Sequence, residues 1–156
     1  MKTIADLHIH SRFSMATSKE GTPENLDFWA RKKGISLIGT GDFTHPVWRE
    51  ELKKRLIAEG NSLYRLRDEY VKEESRKFPG EGTHFVVSGE ISSIYKKNGK
   101  TRKVHNVILL PSLEAADAMA QHLEKIGNIH SDGRPILGLD SHDLLEMMLD
   151  VCPEGI

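Results

Sequence analysis

The chain has 156 residues, enough for one ordinary domain with its own core. An apolar content of 38% with 29% charged residues excludes a disordered chain, and a formal net charge of −1 excludes an overall electrostatic pull toward nucleic acid, leaving only local patches. The single cysteine, Cys152, rules out an intramolecular disulfide and a cysteine-rich zinc site; with no signal-peptide pattern at the N-terminus and no run near the ~18 apolar residues of a membrane span, a cytoplasmic location is expected, with no membrane contact.

In chain order, Thr3 to His8 reads as a short apolar strand. Thr22 caps a helix that has Pro23 at its first position, presents Leu26, Trp29 and Ala30 on one side, and stops at Gly34. Residues 35–39 form a second apolar run, ending in Thr40-Gly41-Asp42. Two charged helices are predicted next, over about 46–58 and 62–77, the second rich in pair-forming charges. Residues 85–89 read as a buried strand ending at Glu90, and Asn98-Gly99 between strand-like runs predicts a β-hairpin near residues 91–110. A helix capped by Ser112 runs to about Ile126, residues 135–139 suggest another strand, and Ser141 caps a last helix to about Asp150. Strands alternating with helices predict an α/β fold with mainly parallel strands, and the helix leading into the final apolar residue suggests that the sheet or barrel continues beyond the chain.

The chemistry-bearing residues fall at expected strand ends, where parallel α/β proteins gather their functional groups. His8 and His10 sit one residue apart; in a strand that spacing puts both imidazoles on one face, with Cα atoms roughly 7 Å apart. Asp42, with His45 close behind, follows the second strand, Glu90 follows the third, and His105 lies on the return arm of the hairpin. This mixed nitrogen and oxygen set suits Zn²⁺, Mn²⁺ or Fe²⁺, with Mg²⁺ as an alternative, better than Ca²⁺. A carboxylate such as Glu90 can bridge two metals, an arrangement suited to phosphate-ester hydrolysis. The metal candidates are therefore His8, His10, Asp42, Glu90 and His105, with His45 or His142 as further candidates; Glu90 and Asp42 are the catalytic candidates. His142 also fits a helix cap, and His84, His122 and His130 look peripheral. Arg12 is placed to clamp an anionic substrate, and Lys96, Lys97, Lys100, Arg102 and Lys103 make the hairpin the densest basic patch, a candidate phosphate or DNA contact. Gly99-Lys100-Thr101 lacks the earlier glycine and the helix that a phosphate-binding loop requires.

Asp6-Leu7-His8-Ile9-His10-Ser11, Gly41-Asp42, Ser88-Gly89-Glu90 and Val104-His105-Asn106 together resemble the ordered motifs of the PHP (polymerase and histidinol phosphatase) superfamily. Within it, Ala5 to Ser14, Gly39 to Pro46 and Ile136 to Leu145 are similar to endonuclease Q. The resemblance implies a distorted (β/α)₇ barrel, a cluster of two or three divalent metals, and an endonuclease of DNA repair that nicks DNA on the 5′ side of deaminated bases or abasic sites. By position, His8 and His10 would hold one metal, Asp42 takes the second-motif place, Glu90 would bridge metals, and His105 would complete another. The family commonly has His after the second-motif Asp; Phe43 stands here, and His45 is the candidate replacement. The later His and Asp-x-His motifs have no match, so residues 1–156 are expected to be the N-terminal portion of a PHP hydrolase domain, an incomplete barrel that binds metal weakly alone and that the remainder of a longer chain or a second copy completes. A PHP phosphatase of small phosphomonoesters is the alternative function, and a non-catalytic PHP binding module the second alternative.

Overall fold

The computed structural model describes residues 3–156. Strand β1 (Ala5–Asp6) pairs in parallel with β2 (Leu37–Gly39), and helix α1 (Pro23–Lys33) connects them. The start and stop of α1 follow from local chemistry. The Thr22 hydroxyl accepts the Asn25 N–H, Pro23 occupies the first turn, and Gly34 closes the helix at φ 73°, a left-handed conformation that costs glycine little. The buried stripe of α1 is Pro23, Asp27 and Ala30, whereas the expected Trp29 is 49% exposed with the Lys32 ammonium 4.6 Å from its ring. Asp27 can occupy an inward position because the Arg31 Nε–H donates to both its oxygens, at 2.9 and 2.8 Å.

Helix α2 (Pro46–Arg55) buries Trp48 and Leu52 and ends three residues before the expected Ala58. Residues Leu56–Ala58 form β3, which returns antiparallel as β4 (Tyr64–Leu66). The charged helix expected over 62–77 is therefore corrected: that segment holds β4 and two short 3₁₀ turns, Asp68–Tyr70 and Glu73–Lys77. Asn61 and Ser62, at φ 49° and 63°, reverse the chain, and the burial of Tyr64 and Leu66 alternates with period two. The charge pairs Arg65–Asp68 and Arg76–Glu73 are spaced as on a helix, but the first joins β4 to the following turn and the second lies within a 3₁₀ turn.

Strand β5 (His84–Lys97) organises the rest. Its first residues pair in parallel with β2 and antiparallel with β4. From Val87 onward it pairs antiparallel with β6 (Lys100–Leu110) through a tight turn at Asn98-Gly99, both at positive φ, as a two-residue hairpin requires. β7 (Ile136–Leu137) joins β5 in parallel at Ser92 and Ser93. Three strand pairings are parallel and three antiparallel, so the seven-stranded sheet is mixed where a mainly parallel one was expected. Glu90 accordingly lies in the middle of a long strand rather than at its end.

Helices α3 (Leu113–Glu124) and α4 (Ser141–Val151) complete the fold. Ser112 caps α3 as expected; α4 is capped by Asp140, which accepts the His142 N–H, in place of the expected Ser141. The core joins Phe85, Val87 and Ile91 of β5 to Phe43, Trp48 and Leu52, and to Ala116, Met119 and Leu123 of α3. Buried aromatic truncations such as Trp48→Ala typically cost about 3–5 kcal/mol. Residues 85, 87 and 91 share one face of β5, which leaves Ser88, Glu90 and Ser92 on the other. Cys152 is buried and unpaired, and no helix among the described residues is long and apolar enough to cross a membrane.

Candidate metal centre

β1 ends at Asp6, so the His-x-His pair lies in the loop after the strand rather than within it. Strand alternation therefore does not aim the imidazoles; the loop does. Gly41, at φ 64°, lets the segment after β2 press against this loop, since a Cβ there would fall 2.5 Å from the Ile9 carbonyl oxygen. Next to it, fully buried Asp42 gathers the loop onto itself. Its Oδ2 accepts the Ser11 N–H and the Ser11 hydroxyl, both at 2.6 Å, and the Ser14 hydroxyl at 2.9 Å. Its Oδ1 lies 3.0 Å from His10 Nδ1. A carboxylate in this position accepts from the Nδ1 side of the ring, which turns Nε2 toward another partner.

That partner position is occupied by Glu90. Oε2 of Glu90 lies 2.5 Å from His8 Nε2 and 3.4 Å from His10 Nε2, and Oε1 lies 2.6 Å from His105 Nδ1. The hairpin register explains His105: Ser92 faces His105 and Glu90 faces Val107, so Glu90 and His105 are diagonal neighbours on one face. The rings of His8 and His10 meet edge to face, with centroids 5.5 Å apart.

One carboxylate, 2% exposed, thus holds imidazoles from two separate segments around it. Despite the short approach of His105, Glu90 Oε1 is buried without a hydrogen bond of normal geometry. A buried acceptor left in this way is costly, and a cation held by Glu90 with His8 and His10 would remove the cost. Ligand atoms of His8, His10 and Glu90 all lie within 4.8 Å of one another, a three-donor set of the kind that borderline divalent ions take. The residues therefore fit a divalent metal, with Asp42 in the position of an orienting partner behind His10.

The other sequence candidates fall elsewhere. His45 is buried at the start of α2, stacked on Phe13 with centroids 4.3 Å apart, and burial pushes its pKa below the ordinary histidine value. Phe43 is fully buried and packs where a Cβ on Gly89 would touch its ring, at 2.6 Å. His142 is exposed on α4, in a separate cluster with Asp143 and Glu146. The Arg12 guanidinium is taken by Glu51 and lies over the Phe13 ring. Of the hairpin cations, the two-residue period puts Lys96 and Lys103 on the face of Glu90 and His105, and Lys97, Lys100 and Arg102 on the opposite face, where Lys97 pairs with Asp140 at 2.7 Å. His84 pairs with Glu59, His130 with Glu124, and His122 with the Ala118 carbonyl. The structure adds Arg134, whose Nη1 is 3.8 Å from Glu90 Oε1. It precedes Pro135 and β7 in a polar turn that carries no local pattern to mark it.

No family model matches the chain. It is 35% identical, over 147 residues, to an uncharacterized protein of Methanocaldococcus jannaschii, covering 94% of this chain and 15% of that one. Its fold is similar to the crystal structure of the lesion-specific endonuclease PfuEndoQ from Pyrococcus furiosus, with a TM-score of 0.75 and 28% identity over 96% of this chain. A second similar structure is an endonuclease Q bound to a 27-mer duplex substrate with an abasic lesion at the active site, with a TM-score of 0.71 and 28% identity over 94% of this chain. The chain spans 32% of the length of each of these endonuclease chains. It thus has an endonuclease Q-like α/β fold that carries a group of candidate metal-binding residues.

Proposed function

We propose that this chain carries the metal centre of a DNA-repair phosphodiesterase that nicks DNA on the 5′ side of deaminated bases or abasic sites. The observation that carries the reading is the convergence of His8, His10 and His105 on the buried carboxylate of Glu90. The likeness to endonuclease Q supports the choice of DNA over a small phosphomonoester. So do Lys96 and Lys103, which lie along the hairpin on the same face as that carboxylate.

In this reading β1, β2 and β5 are the first strands of a PHP-type barrel, and residues 1–156 are the N-terminal portion of that domain. His8, His10 and Glu90 would hold a divalent ion, which would supply an activated water and neutralise charge on the phosphate. The protein's own part is orientation. Asp42 fixes the His10 ring, Glu90 would hold the ion together with His8 and His10, and His8 and His105, both about half exposed, border the side open to substrate.

The test is incubation with duplex oligonucleotides bearing a single uracil, hypoxanthine or abasic site, with Mn²⁺ or Zn²⁺ added. A nick 5′ to the lesion that disappears on chelation supports the reading. Nicking indifferent to chelation, or turnover confined to small phosphate esters, overturns it.

A further inference from the structure

We propose that Arg134 is the side chain that grips the substrate phosphate at this centre, and that the loop over residues 128–135 is built to hold it there. The assignment rests on the phosphoesterase reading and names the residue that reading lacks.

Arg12, the guanidinium nearest the histidine pair in sequence, is already committed to Glu51. Arg134 is not committed. Among the described residues its one ion-pair contact is the 3.8 Å approach to Glu90 Oε1, too long for a hydrogen bond, so its fork of donors is available. A guanidinium matches two phosphate oxygens at once, and beside a metal it offsets the repulsion that buried Glu90 exerts on an incoming anion.

The segment around Arg134 is anchored to both loops that build the centre. Asp132 Oδ1 accepts the Arg134 N–H at 2.9 Å, and its Oδ2 accepts the Met15 N–H at 3.4 Å. The Gly133 N–H donates to the Phe13 carbonyl at 2.9 Å, and the Thr44 hydroxyl donates to the Gly133 carbonyl at 3.0 Å. Gly133 presses so closely on Asp42 that a Cβ would lie 2.3 Å from Oδ2. The loop that carries Arg134 is therefore registered against the segments bearing His10 and Asp42 by its bonds to Phe13, Met15 and Thr44, and Arg134's own side chain takes no part in that. A cleft of about 560 Å³ opens beside it, lined by His105, Ser92, Arg134, Asn128 and Met15, and a phosphate ester entering there meets the guanidinium together with His105, whose Nδ1 is 2.6 Å from Glu90.

Calorimetric titration of inorganic phosphate into the metal-free and the Mn²⁺-loaded protein tests this. Arg134→Gln is expected to weaken phosphate binding by about tenfold or more without lowering Mn²⁺ affinity, since it removes a positive charge beside Glu90. Arg134→Lys, which keeps the charge and loses the fork, falls between, and it carries the test if the glutamine variant melts at a lower temperature. Asp132→Ala, which removes the Arg134 and Met15 bonds and so loosens the loop, weakens phosphate binding without removing any donor of the guanidinium. Phosphate affinity unchanged in Arg134→Gln, or no phosphate binding by the unaltered protein in either state, overturns the assignment. A protein that takes up no Mn²⁺ but still loses phosphate on Arg134→Gln retires the metal reading and leaves Arg134 in its role.

Discussion

Asp42 Oδ1 stands 3.0 Å from His10 Nδ1, and this one contact decides which ring nitrogen of His10 is left to face Glu90. The same carboxylate holds Ser11 and Ser14 through its other oxygen, so loop and ring are set together. In Asp42→Asn an NH₂ group replaces one of the two acceptor oxygens, so either a bond to Ser11 or Ser14 is lost or His10 must take its other tautomer. The variant is expected to lose about 1–3 kcal/mol of stability from broken buried hydrogen bonds. Its metal affinity should fall about 10–100-fold, as for other partners that orient a ligand from behind. Thermal melts and a metal titration measure both, and a metal affinity unchanged from the original would remove Asp42 from the orienting role.

Glu90→Gln separates the metal reading from a purely structural one. If Glu90 and the rings hold an ion, adding Mn²⁺ or Zn²⁺ at 100 times its Kd stabilises the unaltered protein by about 2.7 kcal/mol. For a chain of this size that corresponds to a rise of roughly 5–10 °C in Tm. The variant should show no such rise. Its metal-free melting temperature should stay close to the original, because the substitution removes a buried charge along with its contacts. A metal-induced rise of equal size in both proteins would place the ion elsewhere.

The parts of this centre that could be read in advance are those whose signal is local. His-x-His is a compact pattern, Asn98-Gly99 announces the hairpin, and Thr22-Pro23 with Gly34 brackets α1. The parts that could not be read depend on distant segments. Glu90 looked like a strand end because the continuation of β5 through Ile91 to Lys97 changes its partners from β2 and β4 to β6 and β7. Residues 62–77 read as helical because charges three apart also pair at a strand end, as Arg65 and Asp68 do, and in a 3₁₀ turn, as Arg76 and Glu73 do, while β4 is marked by its pairing with Phe85 and His84. The place of Asp42 behind His10 arises from Ser11 and Ser14, some 30 residues earlier in the chain, and Arg134 is held by Phe13, Met15 and Thr44. No periodicity records such contacts.

His45 predicts a pH dependence of stability. Burial is the largest influence on it and lowers its folded pKa below the unfolded value of about 6.5. The contribution is therefore fully present above that value and is lost as pH falls through the lower, folded pKa. The ring stacks on Phe13 and Nδ1 is buried without a hydrogen bond, so a phenyl ring keeps the stack and gives up the contact with the His130 backbone. His45→Phe should reduce the loss of stability between pH 7.5 and pH 5 measured by denaturant unfolding. An acid sensitivity identical in the two proteins would assign it to other groups.

Gly133→Ala asks whether the loop that carries Arg134 is tied to the metal centre. The added Cβ would lie 2.3 Å from Asp42 Oδ2 and 2.4 Å from its Cγ. A flexible carboxylate would swing aside at little cost, but this one is held by the Ser11 N–H, two hydroxyls and His10. Either the Asp42 bonds stretch or the loop lifts and gives up the Gly133–Phe13 and Thr44–Gly133 bonds. Overpacking of this kind costs typically about 1–3 kcal/mol. Since every route of relief disturbs His10 or Arg134, a lower melting temperature should come with weaker binding of Mn²⁺ or of phosphate. Loss of stability with both affinities intact would mean that the loop and the centre are neighbours without being coupled.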